Sequence, residues 1–284
     1  MQRERVTDDI YVFTSDLYVQ VTAGVILTNQ GAVVIDTLPY PEETRAIKRF
    51  VEDKLGATVR YVINTHFHAD HTTGTCFFKN AQVISHKLCR DLLDQRGRES
   101  MEITRSTSSD MQDLSLVLPN MVFDGKFTLY LGDKVFKFWH TPGHSPDSIV
   151  CLVEDDQILF GADTVMPIPY FVDGNFDDFL NSLRGLQNSQ VETIIQGHGE
   201  VILRGEVEEK LQEDIEYLNR LSAAVDKALM DPSPDKALVA IDIEQCGKSR
   251  VLLNGAAGQL HRQNVFRLAD YRRERSGLEI QNRQ

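Results

Sequence analysis

At 284 residues, with 42% hydrophobic and 25% charged residues, the chain has the makeup of an ordinary globular protein and lacks the bias of a disordered or fibrous one. Its formal charge of -12 repels a phosphate backbone and disfavours nucleic acid as a partner. The four cysteines, Cys76, Cys89, Cys151 and Cys246, are scattered without a C-x-x-C pair, no segment is apolar for long enough to span a bilayer, and the start Met1-Gln2-Arg3-Glu4-Arg5 has no apolar signal core, so a reduced, cytoplasmic setting away from membranes is expected.

From Ile10 to Asp36, short apolar runs at 18–27 and 32–35 flank the turn Asn29-Gln30-Gly31, which predicts strands joined by a hairpin. After Pro41, apolar residues at Ala46, Ile47, Phe50, Val51 and Leu55 fall at helical spacing, with Gly56 as C-cap, and lead to a strand at 59–63. A strand at 81–85 and a helix at 88–93 follow. A long polar stretch then reaches Met121 and is a candidate lid. Strands are predicted at 126–130, 134–139, 149–153 and 157–160, then a helix from Phe176 and a strand at 193–196.

Beyond Arg204 the pattern changes. Val207, Leu211, Ile215, Leu218, Ser222, Val225 and Leu229 lie on one long helix, Asp231-Pro232-Ser233-Pro234 breaks it, and a short helix from Lys236 and a last one over 260–275 follow. The division expected is a core over 1–204 and a helical extension over 205–284 packed on it.

The segment from Asn64 to Gly74 sets His66, His68, Asp70 and His71 within six positions directly after a strand. No packing need calls for that density. Residues i and i+2 leaving a strand point the same way, so His66 and His68 can share one ion, and the turn that follows offers Asp70 and His71 to a second. Three further candidates, His144, Asp163 and His198, also follow strands, each beside small residues that let backbone crowd close to an ion. His86, His140 and His261 lack such a context and are assigned structural or surface roles.

This H-x-H-x-D-H motif at 66–71, followed in order by His144, Asp163 and His198, resembles the metallo-β-lactamase superfamily over roughly residues 10 to 204. The resemblance implies an αββα sandwich with the metals in the groove at the sheet edges. It also implies that His66, His68 and His144 bind the first metal, Asp70, His71 and His198 the second, and that Asp163 bridges both. Asp36 looks like the family's aspartate beneath the site, where it would orient loop amides or a ligand histidine, with a strand-ending turn residue as the bland alternative. Thr65, Thr141 and Ser145 offer hydroxyls either to the ligands or to local backbone.

The expected cofactor is a pair of divalent metal ions, zinc first, with iron or manganese as compatible alternatives. Such a pair makes a bridging hydroxide available near neutral pH without a Ser or Cys nucleophile, and no G-x-S-x-G elbow is present. Asp70 is the candidate for handling a proton. The leading expectation is a hydrolase of a small carboxylic acid derivative, an ester, lactone or thioester, with β-lactam turnover as a side activity. An iron-dependent oxygenase acting on thiols or persulfides and a β-lactamase proper are the alternatives. Among relatives of this kind glyoxalase II is close in its core motif, but Ser145-Pro146-Asp147-Ser148 departs from that enzyme's pattern. The partner expected is a small-molecule substrate, with homo-oligomers left open. The segment Met166-Pro167-Ile168-Pro169-Tyr170-Phe171 is the candidate substrate wall through Tyr170 and Phe171, which otherwise cap the core.

Overall fold

The computed structural model describes residues 1–281. Two mixed sheets face each other, with helices on both outer surfaces, giving the αββα arrangement expected from the resemblance. The first sheet holds seven strands in chain order, β1 (Gln2–Arg5), β2 (Ile10–Thr14), β3 (Thr22–Thr28), β4 (Gly31–Ile35), β5 (Val59–Ile63), β6 (Gln82–His86) and β7 (Met121–Phe123). It is antiparallel from β1 to β4 and parallel from β4 to β7, because α1 (Pro41–Arg49) carries the chain back over one face. The short helices α2 (Ala69–Thr72) and α3 (Lys87–Leu92) follow β5 and β6. The second sheet runs in the order β13, β12, β11, β10, β9, β8. Its strands are β8 (Lys126–Leu131), β9 (Lys134–His140), β10 (Ile149–Val153), β11 (Ile158–Ala162), β12 (Thr193–Gln196) and β13 (Val201–Ile202).

Side-chain alternation builds the layers. In β4, Val33 and Ile35 face the second sheet and join Ile63, Phe136, Phe138 and Phe160 in the inner core, whereas Ala32 and Val34 face outward against Ile47 and Val51. The outer face of the second sheet, through Val150, Leu159 and Ile194, is covered by α5 (Phe176–Gln187) and by α6 (Val207–Leu229), α7 (Pro234–Val239) and α8 (Ala257–Gln281). The C-terminal helices thus share one apolar cluster with α5 and with the sheet. All four cysteines are free and buried. Among the described residues no helix is long and apolar enough to cross a membrane.

Three departures from the sequence reading have physical causes. The run at 18–27 does not extend as one strand: Val19 and Gln20 take left-handed φ values of 41° and 53°, and the strand starts at Thr22. Edge strand β1 has four exposed polar residues and so carries no apolar alternation to read. The polar candidate lid is also largely helical, since α4 spans Arg98–Thr107. None of its side chains is buried, which leaves no stripe for a period to reveal.

Candidate metal centre

The seven predicted ligands come from loops that leave the ends of β5, β9, β11 and β12 at one edge of the sandwich, and α2 carries Asp70 and His71. The structure draws all seven into two adjoining groups, His66, His68, His144 and Asp163 in one and Asp70, His71 and His198 in the other. Within each group the potential ligand atoms lie within 4.8 Å of one another. Asp163 reaches into both: its Oδ2 is 3.3 Å from His144 Nε2 and 3.5 Å from His198 Nε2, and its Oδ1 is 3.2 Å from His71 Nε2.

Backbone shape makes this proximity achievable. Ala162, just before Asp163, has φ 45°, and Asp36 has φ 57°, a left-handed strain that clusters here around the site. Gly197 precedes His198 because a Cβ there would stand 2.0 Å from Asp163 Oδ1. Gly143 precedes His144 with φ 145°, and its Cβ would meet the Phe179 Cα at 2.2 Å.

Each histidine is held from outside by one ring nitrogen. His66 Nδ1 donates to Thr65 Oγ1 (3.1 Å), whose own hydroxyl donates to Asp36 Oδ2 (2.8 Å). His71 Nδ1 donates to the same Asp36 Oδ2 (2.9 Å), His144 Nδ1 to the Tyr170 carbonyl (2.7 Å) and His198 Nδ1 to the Val19 carbonyl (2.8 Å). His68 reverses the pattern, since its Nε2 donates to Asp173 Oδ2 (2.8 Å). These outer bonds fix the tautomers. Four Nε2 atoms and the Nδ1 of His68 therefore turn inward, as lone pairs on His66, His68 and His144.

Lone pairs facing each other at 3.1 Å (His66 Nε2 to His68 Nδ1) and 2.9 Å (His144 Nε2 to His68 Nδ1) repel unless a cation lies between them. Those spacings match the ligand-to-ligand edge of about 3.3 Å that tetrahedral bonds of roughly 2.0–2.1 Å produce. His71 Nε2 and Asp163 Oδ1 are buried and have no hydrogen-bond partner. The donor set of imidazoles and carboxylates therefore fits divalent metal at this place.

Electrostatics agree. Burial drives the protonated form of His66 down, with His71 adding to it, and burial takes His144 to about 4. For His198, burial also opposes charge, but Asp163 and Asp70 outweigh it and lift the ring to about 10. Asp70, which burial pushes up, is drawn down to about 2 by His71 and His198. With protons as the only positive charge, the carboxylates thus pull protons onto the second group, and a cation would answer the same demand.

The other predicted positions sort clearly. Asp36 accepts the Thr65 amide (2.9 Å) and the His71 ring, so it orients both a loop amide and a candidate ligand histidine. Thr65 serves the cluster, whereas Thr141 pairs with Thr164 and Ser145 donates to Asp147. His86 stacks on His140 with ring centroids 4.1 Å apart, and His261 bonds Tyr217, all apart from the cluster. Tyr170 lines the cavity of about 480 Å³ that holds His68, Asp70, His144, Asp163 and His198, but Phe171 does not. This corrects the paired wall: Phe171 is buried against Phe176 and Phe179, with its amide held by Asn264 Oδ1, because neighbouring residues in extended chain point opposite ways. Sequence reasoning missed Asp173 and the Val19 carbonyl. Asp173 reads as an ordinary turn residue in Val172-Asp173-Gly174, and a carbonyl leaves no side-chain signature.

The sequence profile described as the Metallo-beta-lactamase superfamily matches residues 18–203. The chain belongs to this superfamily. Its superfamily relatives include the "Beta-lactamase-like protein 2 homolog" of Caenorhabditis elegans, 22% identical over 72% of this chain and 63% of that protein. Another is the "Atrochrysone carboxyl ACP thioesterase" of Aspergillus terreus, 24% identical over 70% of this chain and 57% of that one. The chain thus spans less than two thirds of the length of these relatives. A solved structure, "Metallo-beta-lactamase from Pontibacter korlensis", superposes with a TM-score of 0.64 at 18% identity, covering 77% of this chain and 98% of that one, which supports the shared superfamily fold.

Proposed function

We propose that the protein is a dinuclear metal-dependent hydrolase of a small carboxylic acid derivative, an ester, lactone or thioester. The observation that carries this reading is the pair of adjoining ligand groups joined by Asp163, with His68, Asp70, His144, Asp163 and His198 lining one cavity. In this reading His66, His68 and His144 would hold one ion, Asp70, His71 and His198 the other, and Asp163 would contribute to both. Divalent cations there, zinc first, would supply activated water near neutral pH and Lewis acidity toward a carbonyl.

The chain's own residues have distinct roles. The outer hydrogen bonds that the rings donate to Asp36, Asp173 and the Tyr170 and Val19 carbonyls hold them in place, so little rearrangement is needed as charge develops. Asp70 borders the cavity with its side chain 17% exposed, which supports a role in taking a proton from attacking water and returning it to the leaving group. Tyr18, Tyr40, Met166, Tyr170 and Leu260 form an apolar and aromatic wall that suits an acyl or ring group. Two relatives carry thioesterase in their names, "Atrochrysone carboxyl ACP thioesterase" and "Thioesterase pkgB", which favours thioesters within the class.

The test is metal analysis of the purified protein followed by a panel of ester, lactone, thioester, β-lactam and phosphodiester substrates with the metal-loaded enzyme. Turnover of acyl substrates with loss on chelation is expected. Oxygen consumption with thiol or persulfide, iron retention and no acyl hydrolysis would overturn the hydrolase reading, and a β-lactam preferred over every ester and thioester would make the protein a β-lactamase proper.

A further inference from the structure

A second cavity, of about 330 Å³, lies beside the metal-ligand cavity and shares His68, Ala69, Thr73, Thr104 and Asp173 with its wall. Its origin lies in the ligand motif itself. His66 and His68 turn toward the cluster, and Phe67 between them turns the other way and lines this second space. Leu93 and Leu116 form further apolar wall, and Met101 comes from α4, the helix without a buried side chain.

The charge around this space is already balanced. Arg96 stands 3.8 Å from Asp173 Oδ1, with its guanidinium 5.7 Å from the Phe67 ring centre, so the one cationic group of the wall faces a carboxylate and a π-face. The rest of the lining is the His68 ring, already bonded to Asp173 Oδ2, apolar carbon, and neutral hydroxyls from Thr72, Thr73, Ser100 and Thr104. Such walls suit a neutral hydrocarbon chain better than an anionic group.

We infer that this side cavity, which shares wall residues with the metal-ligand cavity, receives the acyl chain of the substrate, so that the enzyme prefers linear acyl thioesters or esters of medium length over acetyl ones. The inference rests on the hydrolase reading and narrows its substrate class. The two cavities then divide the substrate between them, the larger holding the scissile carbonyl and leaving group while the smaller measures chain length. The helix α4 roofs this space without buried anchors, which allows it to yield as a chain enters.

The experiment uses N-acetylcysteamine thioesters from acetyl to octanoyl, which share one leaving group. In the metal-loaded enzyme kcat/KM is expected to rise by up to about fourfold per methylene until the cavity is full. Met101→Trp fills the cavity from an exposed helix and is expected to lower the octanoyl-to-acetyl ratio by about tenfold or more, whereas Leu116→Ala enlarges it and moves the optimum to longer chains. Calorimetric titration with sodium hexanoate and octanoate reads binding without turnover, and tighter octanoate binding in wild type than in Met101→Trp is expected. A wild-type profile flat in chain length, or one that neither variant alters, overturns the inference and leaves the hydrolase reading standing. If no acyl substrate is hydrolysed, the hydrolase reading falls and the titration decides. Octanoate binding lost in Met101→Trp then sustains an acyl-chain site, and binding independent of chain length and variant overturns it.

Discussion

At the scale of single residues, identity matters less than which nitrogen is free. His198 and His261 are both buried, but His198 gives its Nδ1 to Val19 and turns Nε2 into the cluster, whereas His261 uses both nitrogens, toward Tyr217 Oη and the Ile241 carbonyl. His198→Ala should therefore lose the second metal and lower kcat/KM by about two orders of magnitude or more, while His261→Ala keeps its metal and loses melting temperature. Equal metal loss in both, by elemental analysis, would mean that stability and not coordination is being read. The candidate ligands were legible in the sequence as a cluster because their spacing has no packing purpose. Asp173 and Phe171 were not, since the direction of a loop side chain depends on partners such as Asn264 that lie far along the chain.

A second residue-scale prediction concerns acid stability. Burial, reinforced by the stacked ring of His140 and opposed by Asp124, lowers the protonation of His86 to about 4. In the unfolded chain the group titrates near 6.5, so between those values the unfolded state binds more protons. The stabilisation from neutral His86 is complete above pH 6.5 and drains away as pH falls toward 4. In metal-free protein, wild type should lose more melting temperature than His86→Gln between pH 7 and pH 5. Parallel losses would contradict the assignment.

At the scale of elements, strand ends do the positioning, and turn glycines allow it. Gly197→Ala would drive a Cβ to 2.0 Å from Asp163 Oδ1, so the carboxylate or the β12 turn must move. The expected result is weaker metal binding by about tenfold or more with far-UV circular dichroism unchanged, and wild-type affinity would contradict it. Strands β5, β10 and β12 could be read from the sequence to the residue because their apolar runs are short and bounded by turns. Helix α4 could not, because a helix with no fully buried side chain leaves no clear apolar period, even though Arg98 and Asp94 pair one turn apart.

At the scale of the whole molecule, the C-terminal helices brace the site from behind. Asn264 on α8 accepts the Phe171 amide and donates to the Pro169 carbonyl (2.7 Å), and Gln263 accepts the Tyr170 hydroxyl, so the loop carrying Tyr170 is set by residues about ninety positions away. Asn264→Ala leaves buried backbone groups unpaired and should cost about 1–3 kcal/mol by denaturant unfolding. A change within error would show that the loop holds itself.

If Asp163 joins the two ligand groups into one dinuclear centre, metal stoichiometry shows it most directly. Protein stripped by chelation and retitrated with zinc, followed by calorimetry and elemental analysis, should take up about two ions per chain, and Asp163→Ala should weaken both sites together. One ion per wild-type chain with no second, weaker site, or an Asp163→Ala variant that loses one ion and holds the other at wild-type affinity, would contradict it.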